Sequence, residues 1–169
     1  MRSQQFHLLL VEDDDLDVMN VHRALGQAAE IASITVCRDG VEALKLLRQN
    51  GLERRVERRL CDVAVDGGFV RPADVVVLHR VVCCYPDYAR LLTAVAQHST
   101  RLVVFSHPPR NPISRFAVAA ANLRLRLQRK DFRVFVHPPA ALLAVLEQDG
   151  LRPTFAHRGL VWHIQGLAR

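Results

Sequence analysis

Apolar residues along the chain fall into short blocks, and the spacing within them alternates between strand-like and helix-like periods. Phe6-His-Leu-Leu-Leu-Val11 is a compact apolar run that predicts a buried first strand, followed at once by Glu12-Asp13-Asp14-Asp15. Leu16, Met19, Val21, Ala24 and Leu25 then predict the inner stripe of a helix. The β-branched run Ile31–Cys37 predicts a second strand. Asp39 is placed to cap the next helix, with Glu42 at the capping-box offset, Val41, Leu44 and Leu47 on the inner face, and Gly51 after its end. Residues 6–51 therefore predict β-α-β-α.

The rest of the chain continues the alternation. Val56, Leu60, Val63 and Val65 suggest a short strand at about 56–61, with Asp62 near its end; Gly67-Gly68 and Arg71-Pro72 mark a loop. Val75-Val-Val-Leu78, followed by Val81-Val82, is too continuous for a half-exposed strand and predicts a central parallel strand covered on both faces. It stops at His79-Arg80, so its carboxyl end should open onto a crevice, where ligands bind in open α/β sheets. A helix over 86–99 turns Tyr88, Leu91, Leu92 and Val95 inward, and 100–106 is the next buried strand. Asn111-Pro112 supplies an N-cap and a first-turn proline for a helix running to about Lys130. In its tail leucine and arginine alternate, which reads as arginines snorkelling over a core edge rather than a membrane or nucleic-acid face. Val134–Val136 is a short extended piece, 140–148 a helix ended by Gly150, and 152–157 with 160–165 an antiparallel hairpin about Arg158-Gly159.

Composition changes this picture little. A chain of 169 residues, half of them hydrophobic, is large enough for a single domain with its own core. No apolar run approaches the roughly 18–20 residues of a membrane span, and the first residues do not read as a signal peptide. The expected location is cytoplasmic, as a monomer with no membrane or other partner. Cys37, Cys61, Cys83 and Cys84 lack metal-site spacing, and the adjacent pair reads as core filler. The net charge of +6 is uneven: residues 1–51 carry five basic and eight acidic side chains, and residues 52–169 eighteen and nine. Only Lys45 and Lys130 are lysines, so the basic excess reads as an arginine bias and not as a nucleic-acid surface.

Two resemblances follow from these residues. LLLVEDDDLDVMNVHRAL with ITVCRDGVEALKLLRQNG resembles the first two βα units of a response-regulator receiver domain, a flavodoxin-like fold. That resemblance implies weak Mg²⁺ binding by Asp13 and Asp14, with Glu12 less directly involved, and carboxylates suit a hard cation. Its phospho-accepting aspartate falls on His79 and its lysine on His137, while Ser106 could meet the Thr/Ser position; aspartyl phosphorylation is not supported. From about Gly51 onward, and above all in ADVVVLHRVVCCYPD, the chain resembles class I S-adenosylmethionine-dependent methyltransferases. This implies a three-layer, Rossmann-like, doubly wound α/β sheet of seven strands in the order 3-2-1-4-5-7-6, mostly parallel with a terminal antiparallel hairpin.

The methyltransferase resemblance also implies three cofactor elements. The turn after the first strand should be glycine-rich, but Val11–Asp15 contains no glycine, and side chains there would block the ligand. The ribose-binding acid falls at Arg38-Asp39, where Asp39 serves as a helix cap. The adenine-facing acid falls on Asp62, with His79 and Arg80 lining the same crevice as a vestigial site. The expectation is a receiver-like segment 1–50 joined to a methyltransferase-like segment 51–169: a recombined or engineered chimera, not an enzyme, with no cofactor beyond vestigial S-adenosylmethionine or weak Mg²⁺ binding. The alternatives are a divergent methyltransferase and a degenerate receiver-type signalling module.

Overall fold

The structure, a computed structural model, describes residues 6–12, 15–25, 31–57 and 61–169. It divides into two compact units, residues 1–59 and 60–169.

In the first unit, β1 (Phe6–Val11) lies parallel to β2 (Ile31–Cys37), with Leu8 opposite Ile34 and Val11 opposite Cys37. Parallel neighbours need a crossover, and α1 (Asp15–Leu25) lies within it. α2 (Gly40–Gln49) begins as the sequence predicts: the Glu42 amide donates to Asp39 Oδ1 at 2.7 Å, and Glu42 Oε2 accepts from the Arg38 amide at 2.6 Å. Gly51, with φ 66°, lets the chain turn away after α2. Cys37 and Ala43 are buried, whereas Leu16, Met19 and Val41, expected to face inward, are exposed.

The expected third strand is not found among the described residues. Glu53–Arg55 is a single 3₁₀ turn, and Val63–Asp66 is a short helix, α3, capped by Asp62. The polar, charge-rich 53–57 has too few apolar positions to cover a sheet face. Residues 58–60 lie outside the described residues.

The second unit holds a four-stranded sheet in the order β3-β4-β6-β5. β3 (Ala73–Leu78) and β4 (Ser99–His107) are parallel, with Val77 opposite Val104. β6 (His163–Ala168) runs antiparallel to both β4 and β5 (Arg152–Arg158). The hairpin is therefore present, but its second strand starts three residues later than predicted. The Gly159 amide donates to the Trp162 carbonyl across the turn, and Leu160 and Val161 stand in solvent. The four adjacencies within β1-β2 and β3-β4-β6-β5 occur in the expected order, but among the described residues six strands in two sheets replace the single seven-stranded sheet of the prediction. β3 is the outermost strand of its sheet and leaves Val75 and Val77 exposed, where a strand covered on both faces was expected.

α4 (Tyr88–His98) and α6 (Pro139–Gln148) supply one side of the core and the sheet supplies the other. Leu91, Leu92 and Val95 from α4 meet Val103 and Phe105 of β4, Leu142 and Leu146 of α6, Leu151, and Leu167 of β6. Burying a leucine of this kind stabilises the fold by about 1.5–3 kcal/mol. The Arg169 guanidinium closes this layer by donating to the carbonyls of Ala96, Ser99 and Asp149 at 2.9, 3.0 and 3.2 Å. These bonds fall near the carboxyl ends of α4 and α6, where a cation suits the helix dipole.

Candidate functional site

The parallel strands β3 and β4 end side by side, with Leu78 opposite Phe105, so the residues just beyond them share one end of the sheet. Arg80 adopts φ 56°, a left-handed conformation uncommon for a residue with a Cβ. That turn lets its amide donate to Ser106 Oγ at 2.8 Å, and Ser106 Oγ lies 3.4 Å from His79 Nδ1. The Arg80 carbonyl accepts from the thiols of Cys84 and Cys83 at 3.2 and 3.5 Å. Its guanidinium lies 5.1 Å from the centre of the Trp162 ring, a cation–π distance. Burial, followed by the neighbouring Cys84, pushes the Cys83 thiol up to about 12, so it is an inert packing group.

His107 closes β4, opposite His163 of β6, and the two rings meet edge to face at 5.5 Å. His107 is only 2% exposed. Its Nδ1 lies 3.0 Å from the Pro108 carbonyl, which requires Nδ1 to carry the proton if the two are bonded. Nε2 is buried without a hydrogen-bond partner. Burial, and secondarily His163, lowers the pKa of His107 below its ordinary value.

The expected site residues are thus partly brought together. His79, Arg80 and Ser106 form one polar rim at the strand ends. Asp62 stands instead with Tyr85: its Oδ2 accepts the Tyr85 hydroxyl at 2.8 Å, and its Oδ1 caps α3 through the Ala64 amide at 2.9 Å. The bond to Asp62, followed by burial, raises the Tyr85 pKa. His137, named above only as a misplaced lysine position, bonds the Tyr85 carbonyl at 3.0 Å between the rings of Tyr88 and Phe135. In the first unit Asp39 is engaged as a cap, and Arg38 pairs with Asp15. Asp13 and Asp14, the expected Mg²⁺ ligands, lie outside the described residues. Sequence reasoning gave Trp162 and His107 no role at this end; a polar Ser-His pair closing a buried strand was the available signal for the second.

As a test of fit to a nucleoside cofactor, the second unit offers the exposed His79 ring, the Arg80 cation and the exposed Asp62 carboxylate. Both Asp62 oxygens already accept bonds, but a carboxylate oxygen has a second lone pair to offer. These groups suit a nucleoside's ring and hydroxyls, whereas the turn Val11–Asp15 has no glycine to give the close backbone approach such a ligand takes.

The parallel β3-β4 pair with its reversed hairpin is consistent with a Rossmann-like methyltransferase fold. The solved structures that it resembles are of that kind along essentially its whole length. An O-methyltransferase family 2 protein from Planctomyces limnophilus, solved with apigenin, is 17% identical with a TM-score of 0.57, the match covering 99% of this chain and 51% of that one. An O-methyltransferase family protein from Burkholderia thailandensis is 15% identical with a TM-score of 0.60, at 99% and 51% coverage. Magnesium protoporphyrin IX methyltransferase from Synechocystis, solved with bound SAH, is 13% identical with a TM-score of 0.51, at 99% and 76%. No protein-family profile and no curated protein matches the sequence. At these identities the likeness establishes the fold, and the chain spans about half the length of the first two structures.

Two expectations are corrected by these matches. The likeness includes residues 1–50, so nothing sets that segment apart as a receiver domain spliced onto a different protein. The expectation of a non-enzyme is overturned as well, because structures that share the fold are methyltransferases; the expectation of no cofactor is not supported, since one of them holds SAH and another SAM.

Proposed function

We propose that the chain carries out S-adenosylmethionine-dependent methyl transfer. The observation that carries this reading is the β3-β4-β6-β5 sheet with its antiparallel terminal hairpin, matched over 99% of the chain by methyltransferase structures. S-adenosylmethionine, when bound, supplies the methyl group: its S–CH₃ bond breaks as the acceptor bonds to carbon, the electron pair stays on sulfur, and S-adenosylhomocysteine is left.

In this reading His79 and Arg80 border the ligand at the carboxyl end of β3, and Asp62 reaches its nucleoside part. Ser106 positions that rim by fixing the Arg80 amide and facing His79 Nδ1. The test is a calorimetric titration of the folded protein with S-adenosylhomocysteine. Dissociation in the micromolar range, weakened in Asp62→Asn and His79→Ala, is expected. No heat up to millimolar ligand would overturn the reading.

A further inference from the structure

α5 (Pro112–Leu127) is the one long helix of the second unit that buries none of its residues. Its inner side, Ser114, Val118, Asn122 and Leu125, is half-buried. Asn122 fixes that side to the following segment: its Nδ2 donates to the Val134 carbonyl at 2.8 Å, and its Oδ1 accepts from the Val134 amide at 2.9 Å. The opposite side carries Ile113, Phe116, Ala120, Leu123 and Leu127, at spacings of three and four that align them along one stripe. Ile113, Phe116, Leu123 and Leu127 are 80, 77, 58 and 77% exposed. These leucines are not covered by snorkelling arginines, as the sequence pattern suggested. They face solvent.

Charge identifies what fits this face. From Asn111 to Lys130 there is no acidic residue, against Arg115, Arg124, Arg126, Arg129 and Lys130. At about 100° per residue, Arg124 falls on one flank of the apolar stripe, and Arg115 and Arg126 fall on the other. An apolar stripe with cations on both margins is the pattern of a helix that lies in the interface of an anionic bilayer, its apolar side chains among the acyl chains and its cations at the headgroups. A second copy would set two equally basic faces against each other. A groove that wraps a helix on all sides would need the inner face, which Asn122 holds against Val134. Nucleic acid would find a mainly aliphatic centre with one aromatic ring in place of a stacking platform.

We propose that α5 docks the protein onto anionic lipid surfaces, lying parallel to the membrane. No described helix is long and apolar enough to cross one. This inference stands apart from methyl transfer and holds or fails without it.

The test is flotation of the full chain with phosphatidylcholine vesicles, with and without about 30% phosphatidylserine. The protein is expected to float with the anionic vesicles only, and to be released by about 0.5 M salt. Arg124→Glu/Arg126→Glu and Phe116→Ser/Leu127→Ser should each lower the partition coefficient roughly tenfold or more, with an unchanged thermal transition because the residues are exposed. Absence from the anionic vesicles would overturn the proposal, as would flotation indifferent to both double substitutions. A dimer in sedimentation that Phe116→Ser/Leu127→Ser makes monomeric would assign the face to a second copy instead. A nucleic-acid complex lost in Arg124→Glu/Arg126→Glu, without vesicle binding, would assign it to nucleic acid.

Discussion

His107 shows how a single residue couples the end of the sheet to pH. Its ring is buried against His163 and Phe105, its Nδ1 faces the Pro108 carbonyl, and its Nε2 has no partner that could stabilise a second proton. Burial lowers its pKa in the folded protein, whereas in the unfolded chain the ring titrates near its ordinary value of 6.5. Above that value both states are neutral and the stabilisation from burying the neutral ring is complete. As pH falls below about 6.5 the unfolded chain takes up the proton first, and stability declines until the depressed folded value is passed. Urea midpoints at pH 7.5 and 5.5 should therefore differ, with lower stability in acid. In His107→Phe the difference should shrink; an equal acid loss in this variant would show that another group is responsible.

At the scale of elements, the caps were legible because their chemistry is local. Asp39 with Glu42, and Asn111 before Pro112, make the side-chain-to-amide bonds that start their helices; the cap Asp87 was not read, because Pro86 drew the expected helix start one residue before it. The β3 run was also legible as a strand, but its neighbours were not: how many faces are covered depends on which strands pair beside it, and a run of valines carries no such information. The third strand was misread for a related reason. Val56, Leu60, Val63 and Val65 are apolar at mixed spacings, and Asp62 decided the outcome by capping α3. Nothing in the sequence identified Asn122 either, since its importance lies in pairing with Val134, twelve residues away. Asn122→Ala removes both bonds and leaves the Val134 amide and carbonyl without these partners, at a cost of about 1–3 kcal/mol. Hydrogen exchange should report this as faster exchange at Val134, with the β4 amides unchanged. Unaltered exchange at Val134 would mean that the α5 inner face is held by its apolar residues instead.

At the scale of the whole molecule, the charge break near residue 51 invited the reading of a splice, and the invitation was misleading for a physical reason. A short buried strand, an acidic turn, a crossover helix and a second β-branched strand serve receivers and methyltransferases alike, because both need the same parallel β-α-β connection. Only the sheet beyond it differs between the two, and here the reversed β6, lying between β4 and β5, is consistent with the methyltransferase fold. The candidate site was less legible, since Val11–Asp15 holds no glycine while the rim at His79, Arg80 and Ser106 depends on the left-handed turn at Arg80. If that rim belongs to a working site, S-adenosylhomocysteine binds the folded chain and not the unfolded one, and must raise the melting temperature by mass action. At about a hundred times the dissociation constant the stabilisation is about 2.7 kcal/mol, equivalent to about 5–10 °C for a chain of this length. His79→Ala should keep the melting temperature without ligand and show a smaller shift at the same concentration, because an exposed ring contributes little to the core. A full shift in His79→Ala would place the ligand away from β3, and no shift in the unaltered protein at millimolar concentration would leave the sheet order as a likeness of fold alone.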